Sequence, residues 1–145
     1  MADDCIFCAI AAGELEAEIV LSDEHTIAFL DHRPLFAGHA LLIPREHHVT
    51  IEDLPPALLE PVFSNARLLA GAVRRAMGAE GTFLANNNVV SQSVPHLHVH
   101  VVPRRRKDGL RGFFWPRNPY EGPNEMAAAG AAIRAEIDAA AGVTR

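Results

Sequence analysis

The sequence predicts an α+β domain, with an antiparallel sheet and with helices that occupy separate stretches of the chain. Three patterns support this: short apolar segments bounded by turn residues at 18–44, one long amphipathic pattern at 55–77, and a return to strand patterns at 81–103. The chain has 145 residues and 49% hydrophobic content, which suits a single core. We therefore expect residues 1–145 to form one domain.

The N-terminal third predicts a short helix and three strands. One or two helical turns are expected from Cys5 to Gly13, where Gly13 closes the last turn. Residues 18–21 and 25–30 predict two strands that form a hairpin across a Ser-Asp-Glu turn. A third strand is expected at 39–44, and its mostly apolar residues are typical of a central strand.

One long helix is predicted from about Pro55 to Met77, because apolar residues recur there at steps of three and four. Asp53 is the expected N-cap and Gly78 the expected C-terminal cap. We interpret this helix as core scaffold. The residues of its apolar stripe are Leu58, Val62, Ala66, Leu69, Val73 and Met77.

The remaining elements are a fourth strand at 81–86, a strand that carries three histidines, and an alanine-rich C-terminal helix. The C-terminal helix is expected to begin with Asn124 as its cap and to end at Gly142. Its larger apolar residues share one face: Met126, Ile133 and Ile137. The expected sheet thus has five strands.

The histidine strand begins at Pro95 and ends at Pro103. His96, His98 and His100 alternate with aliphatic residues, which is the period-2 signature of a strand with two different faces. Neighbouring imidazoles would lie about 6.5–7 Å apart, close enough to address one metal ion or one phosphoryl group together. The middle histidine, His98, is the natural nucleophile, because its two neighbours can hold phosphate oxygens while it attacks.

Composition excludes several classes of protein. The net charge is −5 and the pI about 5.9, which disfavours binding of nucleic acid by bulk charge. We expect no signal peptide after the acidic start and no membrane span, hence a cytoplasmic protein. The two cysteines, Cys5 and Cys8, are too few for a secreted disulfide framework, so they form a metal site, a redox pair, or neither.

The segment His-Leu-His-Val-His-Val-Val at 96–102 resembles the motif of the histidine triad (HIT) superfamily of nucleotide hydrolases and transferases. Gly-His-Ala-Leu-Leu-Ile-Pro at 38–44 resembles a second signature of this family. The resemblance implies the HIT fold, an antiparallel five-stranded sheet with one long helix and a C-terminal helix. It also implies a homodimer.

The same resemblance assigns catalytic roles to residues of the triad segment. His98 would form a covalent nucleotidyl-histidine, and the backbone carbonyl of His96 would set its tautomer. His100 and Gln92 would hold phosphate oxygens. Ser93 matches a serine that the Hint branch of the family uses beside the leaving group, where a hydroxyl can pass on a proton. We expect His39 to have no catalytic role.

A purine nucleotide pocket is also implied by the resemblance. Asp31 matches the acidic residue that accepts the ribose hydroxyls. The apolar residues that match those around the purine are Phe7, Ile10 and Phe29. Asn87 is our choice for the asparagine on the phosphate side, with Asn86 and Asn88 as alternatives. The loop at 89–92 is shorter than in the family and lacks its glycines, which blurs this assignment.

A structural zinc ion is implied by the Cys-x-x-Cys pair, which resembles that of zinc-containing bacterial members of the Hint branch. The matching ligands are Cys5, Cys8, His47 and His96. His48 is an alternative to His47. Such a closed Cys₂His₂ site would attach the N-terminal segment to the sheet, and catalysis itself would not require the metal.

The leading hypothesis is an enzyme that cleaves purine nucleotides at the α-phosphorus, as an adenosine phosphoramidase does. One alternative is a dinucleoside polyphosphate hydrolase resembling the Fhit branch, whose distal phosphates would meet the basic run Arg104–Lys107, with Arg111 and Arg117. Another is a non-catalytic, nucleotide-binding dimeric scaffold. The aromatic segment Phe113–Trp115 either closes over the pocket or packs against a partner subunit.

Overall fold

A computed structural model of the chain describes residues 4–111, 117–140 and 142. The chain divides into two compact units, Met1–Asp108 and Gly109–Arg145. The first unit holds a five-stranded antiparallel sheet and two α-helices, and the second holds one α-helix. The predicted α+β class, the five strands and the helices are thus confirmed. The segment Phe113–Trp115 lies outside the described residues.

Eight helices and strands follow one another in the described residues, and the strands are ordered β1-β2-β3-β5-β4 across the sheet. All neighbouring pairs in this sheet are antiparallel. A 3₁₀ turn at Ile51–Asp53 precedes the long helix. The bounds are α1 Ile6–Ala12, β1 Ile19–Ser22, β2 Thr26–Leu30, β3 Ala40–Pro44, α2 Pro56–Ala76, β4 Gly81–Ala85, β5 Val99–Arg104 and α3 Pro123–Ala140.

Helix α2 begins later than its predicted cap. Asp53 does not cap it: the Asp53 carboxylate accepts hydrogen bonds from the backbone N–H and the hydroxyl of Thr50, and so closes the 3₁₀ turn. The helix starts only after Pro55, because a residue that precedes proline is disfavoured in the α conformation and Pro55 is itself followed by Pro56. Gly78 follows the helix with a left-handed φ of 59°, as a C-terminal glycine should.

The two faces of the sheet bury different residues. On one face α2 packs its apolar stripe over Leu97, Val99 and Val101. On the other face, Phe7 and Ile10 of α1 pack over a second set of strand residues, which comprises Ile27, Phe29, Leu41 and Ile43. The alternation in the triad segment thus separates the aliphatic residues beneath α2 from the histidines on the α1 face.

The regular strand β5 begins at Val99, so the predicted strand from Pro95 is too long at its start. His96 and His98 precede the strand ladder. The reason lies in the backbone: the N–H of His96 donates to the carbonyl of Val94, and the N–H of Leu97 donates to the carbonyl of His48. These groups are therefore paired outside the sheet, although the side chains still alternate.

The second unit contains α3, which begins at Pro123, one residue before the predicted cap Asn124. Met126, Ile133 and Ile137 lie along this helix and are 60%, 61% and 60% exposed. In the described part of the chain, no helix combines the length and the apolar character that crossing a bilayer requires.

Candidate active site and metal centre

A cleft of about 880 Å³ opens between α1 and the triad face of the sheet. We call it the histidine cleft. It brings together seven of the residues that the sequence singled out for catalysis or nucleotide binding: Phe7, Ile10, Phe29, Asp31, Ser93, His98 and His100. Apolar residues make up about half of its lining and polar or charged residues the rest, which suits a small molecule that has both an apolar and a polar part.

The apolar end of the cleft is built on Phe7. Its ring meets the ring of Phe29 edge-on, with centroids 5.3 Å apart and an interplanar angle of 67°. It meets the His98 ring at 5.2 Å and 86°. Helix α1 thus contacts the central histidine directly, and Phe7 joins the apolar part of the cleft to its polar part.

His98 is held in one tautomer by its own neighbour. Its Nδ1 lies 2.7 Å from the backbone carbonyl oxygen of His96. A carbonyl oxygen only accepts, so Nδ1 carries the proton and the lone pair remains on Nε2. The His98 side chain is buried at 3% exposure yet lines the cleft. This arrangement leaves Nε2 as the nitrogen of His98 that can act as a nucleophile.

His100 is held in the opposite tautomer by a chain of two hydrogen bonds. The backbone N–H of Leu35 donates to Nδ1 of His39 over 3.1 Å, which places the His39 proton on Nε2. This Nε2–H then donates to Nδ1 of His100 over 2.9 Å. His100 therefore carries its proton on Nε2, where it can donate to an anion in the cleft.

His39 holds the ring of His100 through a contact that the sequence alone does not predict. It lies immediately before β3, and the pairing of Leu41 with His100 brings the two histidines side by side. Burial lowers the pKa of His39, and burial also lowers the pKa of His100 to about 4. Both rings are thus neutral near pH 7, as the hydrogen-bond chain requires.

Asp31 follows β2 and borders the cleft beside this pair. One carboxylate oxygen accepts the backbone N–H of Arg33 over 2.9 Å, and the other lies 3.9 Å from Nε2 of His39. The side chain is 19% exposed. A fixed carboxylate with remaining acceptor capacity suits a ligand that carries hydroxyl groups.

The loop before the triad is held by its own side chains. Gln92 accepts the N–H of Val89 and donates to the carbonyl of Val49 at 2.6 Å, so its amide links the loop to the segment before α2. Asn86 supports the carbonyl of His98 at 2.9 Å, and Asn87 donates to the carbonyl of Ser91. These are the positions at which the family resemblance predicts phosphate contacts.

Two residues of this loop have left-handed backbone although neither is glycine. Val89 has φ 69° and Ser91 has φ 60°. A β-branched residue seldom adopts this region, because Cβ meets the following carbonyl. The loop therefore keeps a glycine-like path without the glycines that the sequence lacks at 89–92.

A second cluster, which we call the four-ligand cluster, comprises Cys5, Cys8, His47 and His96, with all four ligand atoms within 4.8 Å of one another. Nδ1 of His96 is 3.4 Å from Sγ of Cys5 and 3.5 Å from Sγ of Cys8, and Nδ1 of His47 is 3.3 Å from Sγ of Cys8. Tetrahedral zinc with ordinary Zn–S and Zn–N bonds requires sulfur–nitrogen separations of about 3.6 Å. The donor atoms therefore fit zinc.

The tautomer of His96 supports the same conclusion. Its Nε2 donates to the carbonyl of Pro44 over 2.8 Å, which leaves the lone pair on Nδ1, towards the sulfurs. Burial lowers the pKa of His96 to about 4, and burial together with Cys5 raises the pKa of Cys8 to about 11. A bound metal would displace the thiol proton. His48 lies outside the cluster, and its ring is 3.3 Å from a carboxylate oxygen of Glu46.

The basic run Arg104–Lys107 is largely paired within the first unit. Arg104 forms two hydrogen bonds with the Asp108 carboxylate, at 2.6 and 3.0 Å. Arg106 lies 3.0 Å from Glu80, and Arg105 donates to the carbonyl of Met77. Along the strand, position 104 is six residues from position 98, about 20 Å at the usual rise. The run therefore lies away from the triad.

Comparisons with known proteins agree with this geometry. A family model of the HIT domain matches residues 12–107. An adenylylsulfatase of Arabidopsis thaliana is 34% identical over 110 residues, which are 74% of this chain and 56% of that protein. The chain thus spans little more than half the length of that relative.

Two further matches extend over nearly the whole chain. An adenosine 5'-monophosphoramidase of Schizosaccharomyces pombe is 32% identical over 135 residues, which are 92% of this chain and 98% of that protein. The crystal structure of a zinc-bound histidine triad family protein from Mycobacterium smegmatis matches with a TM-score of 0.71 at 34% identity. It covers 94% of this chain and 99% of that one.

Proposed function

The chain belongs to the HIT family, and from that premise we propose that it is a purine nucleotide hydrolase or nucleotidyltransferase that cleaves at the α-phosphorus through a covalent nucleotidyl-His98. The observation that carries the proposal is the 2.7 Å hydrogen bond from Nδ1–H of His98 to the His96 carbonyl. It leaves Nε2 of a cleft-lining imidazole as the nucleophile. The S. pombe relative is named an adenosine 5'-monophosphoramidase, which supports this substrate class.

In the first step, Nε2 of His98 attacks the α-phosphorus, a phosphorus–nitrogen bond to His98 forms, and the bond to the leaving group breaks. His100 donates its Nε2–H to a non-bridging phosphate oxygen, where charge develops. Ser93 lines the cleft and passes its hydroxyl proton to the departing amine or oxygen. The nucleotide is then attached to His98, and the leaving group departs protonated.

In the second step, water attacks the same phosphorus and the bond to His98 breaks. One proton of the water returns to Ser93, and a nucleoside monophosphate leaves with the oxygen. Asp31 accepts the ribose hydroxyls, and Phe7, Ile10 and Phe29 surround the purine. Gln92 and Asn87 serve the phosphate side only if the loop releases their present hydrogen bonds.

We further propose that the four-ligand cluster holds a structural zinc ion. The donor separations, the tautomer of His96 and the zinc-bound relative from M. smegmatis support this proposal. Zinc supplies four bonds that hold the N-terminal segment on the sheet. Four protein ligands fill the coordination of a tetrahedral zinc ion and leave no open position for a substrate. The chemistry at phosphorus therefore belongs to His98 and His100.

A dinucleoside polyphosphate is the second candidate substrate. The paired state of Arg104 and Arg106, and the position of the basic run about 20 Å along the strand from His98, count against a tether for distal phosphates. The presence of Ser93 in the cleft favours the phosphoramidate. The name of the Arabidopsis relative adds adenosine 5'-phosphosulfate to the substrates worth comparing.

We also propose a cytoplasmic homodimer. The edge strand β4 exposes Leu84 at 42%, and α2 exposes Phe63 at 50% and Leu68 at 56%. Unpaired strand edges and exposed apolar side chains of this size favour association. Sedimentation of the wild type and of Leu84→Lys tests the dimer, and a wild type that sediments as a monomer at micromolar concentration would refute it.

The experiment that tests the function is intact-protein mass spectrometry after brief mixing with an adenosine phosphoramidate. We expect the mass of the wild type to rise by one adenylyl group, and we expect no adduct on His98→Ala. Turnover by His98→Ala should fall by at least about 10³-fold. His25→Ala, which removes a histidine in the β1–β2 turn, is the matched control and should form the adduct.

Two results would contradict this proposal. Near wild-type turnover by His98→Ala would exclude His98 as the nucleophile. Neither adduct nor released product, with the phosphoramidate, the phosphosulfate or a diadenosine polyphosphate, would leave a non-catalytic nucleotide-binding scaffold as the better interpretation.

A further inference from the structure

Helix α1 belongs to both sites at once. Cys8 is a member of the four-ligand cluster, and Cys5 is the N-cap residue immediately before the helix. On the same helix, Ile6, Phe7 and Ile10 line the histidine cleft. One short segment therefore carries ligand atoms for the metal and one apolar wall of the nucleoside pocket.

This helix has little stability of its own. It spans only seven residues, and helices much shorter than about 12 residues are marginal in water. Its N-cap, Cys5, makes no side-chain capping hydrogen bond, and its first turn carries no acidic residue. At its other end, Arg45 donates to the carbonyl of Ala11 over 2.9 Å, and Gly13 closes the last turn. The first turn depends on packing and on the four-ligand cluster.

We infer that a metal ion in the four-ligand cluster raises the affinity of the histidine cleft for a nucleoside by holding α1 against the sheet. A ligand that requires an ordered wall must order that wall itself when the metal is absent, and this cost lowers its affinity. The inference rests on the proposed function in one respect, that the cleft takes a nucleoside.

Linkage makes the effect reciprocal. If zinc strengthens nucleoside binding by some factor, a bound nucleoside must strengthen zinc binding by the same factor. A smaller cavity of about 370 Å³ is lined by Cys5, Ile6 and His47 among others, so it adjoins two members of the cluster. Chelation and reloading of zinc can therefore be tested on the intact chain.

Calorimetric titration of zinc-loaded and chelator-treated protein with adenosine is the test. We expect zinc removal to weaken adenosine binding by about 10-fold, within the usual range of coupling between sites. Inorganic phosphate is the comparison ligand, because it needs only the polar end of the cleft at His98 and His100. We expect its affinity to change by less than about twofold. Zinc affinity, measured against a chromophoric chelator, should rise about 10-fold in saturating adenosine.

Two variants sharpen the test. Cys8→Ser removes one metal ligand and should abolish the dependence of adenosine affinity on zinc. His48→Gln changes the neighbouring histidine that lies outside the cluster and should retain it. If Cys8→Ser fails to fold, the comparison of zinc-loaded with chelator-treated wild type and the reciprocal zinc titration still test the inference. Circular dichroism then verifies that the chelator-treated wild type remains folded.

Hydrogen exchange at residues 6–12 provides a readout independent of affinity. These amides should lose more protection without zinc than the amides of the central strand β3, whose exchange follows global stability, and they should recover protection when adenosine binds. Equal adenosine affinity with and without zinc would overturn this inference and leave the proposed function intact. Equal losses for adenosine and phosphate would also overturn it, since the metal would then act on the whole fold. Zinc-loaded protein that binds no adenosine would overturn both proposals.

Discussion

The two outer histidines of the triad lie on the same side of the sheet and are held in opposite tautomers. His96 donates its Nε2–H to the carbonyl of Pro44, which leaves Nδ1 towards the cysteines. His100 accepts at Nδ1 from His39, which leaves Nε2–H for the cleft. The nitrogen left free on His96 suits a metal ligand, and the N–H left free on His100 suits a donor to an anion. The difference shows that each imidazole is fitted to its role by which of its two nitrogens is already hydrogen-bonded to a neighbour.

A single strand supplies both neighbours. Pro44 is the last residue of β3, and His39 immediately precedes the strand. Since β3 pairs with β5 over Ala40 to Leu42, its two ends lie beside the two ends of the triad. The central strand β3 thus sets the tautomers of both outer histidines. His98 lies between them, and its tautomer is set by the backbone carbonyl of His96. Substitutions can therefore alter one end of the triad without the other.

The largest effect is expected at the His96 end, from removal of zinc. Cys5→Ala with Cys8→Ala deletes two ligands, and at a free zinc concentration about 1,000 times the dissociation constant the lost stabilisation is about 4 kcal/mol. This corresponds to a fall in Tm of roughly 8–16 °C for a chain of this size. Thermal unfolding with zinc and with excess chelator measures it.

In chelator, the Tm of the wild type should fall by the same amount. The Tm of the double variant should be the same with and without chelator. A wild type whose Tm does not respond to chelator would show that zinc contributes nothing to the fold at this end.

The next effect concerns the His100 end, where we expect His39 to act as a positioning residue. His39→Leu removes the donor to Nδ1 of His100 and frees that ring to change tautomer. We expect kcat to fall about 10- to 100-fold, or about 1.4–2.7 kcal/mol in activation free energy, with a smaller change in KM. Steady-state kinetics with an adenosine phosphoramidate measures both constants.

His39→Gln retains a donor and should recover part of the loss, which a purely structural role would not produce. His25→Gln is the control for replacement of a histidine near the same sheet. If His39→Leu changed KM and kcat in proportion, or not at all, the tautomer chain would have no part in turnover.

A smaller effect is expected in the pH dependence of stability at the His100 end. Burial lowers the folded pKa of His100 to about 4, below the ordinary value of 6.5. Between these values the unfolded chain binds more protons, so the stabilisation is complete above pH 6.5 and is lost as pH falls towards 4. The shift corresponds to about 3 kcal/mol, which we discount to roughly 1–2 kcal/mol because the ring is partly open to solvent.

Urea unfolding of the wild type and of His100→Asn between about pH 7.5 and 4.5 tests this sign. The free energy of unfolding should fall more steeply with decreasing pH in the wild type. Equal slopes for the two proteins would mean that His100 is not buried as a neutral ring.

The sequence predicts the centre of the site better than its edges. Alternation at period 2 is a local property, so the faces of Leu97 and His98 could be predicted. The role of His39 depends on a contact with His100 across 61 positions, which only strand pairing specifies. The position of Gln92 depends on the carbonyl of Val49, 43 positions away. Such partners leave no periodic pattern in the sequence.

The smallest effect separates two neighbouring valines in the loop that leads to His96. Val89 has a left-handed φ of 69°, whereas Val90 does not share that conformation, and the two are 74% and 78% exposed. Glycine at 89 removes a strain of about 1–2 kcal/mol and adds about 0.5–1 kcal/mol of unfolded-state entropy. Val89→Gly should therefore stabilise the chain by about 0.5–1 kcal/mol, and Val90→Gly should destabilise it by a similar amount. Both variants lose the same exposed side chain, so changes of opposite sign in the free energy of unfolding, measured in urea, isolate the backbone strain at Val89. Equal destabilisation of the two variants would instead show that the loop does not hold Val89 left-handed in solution.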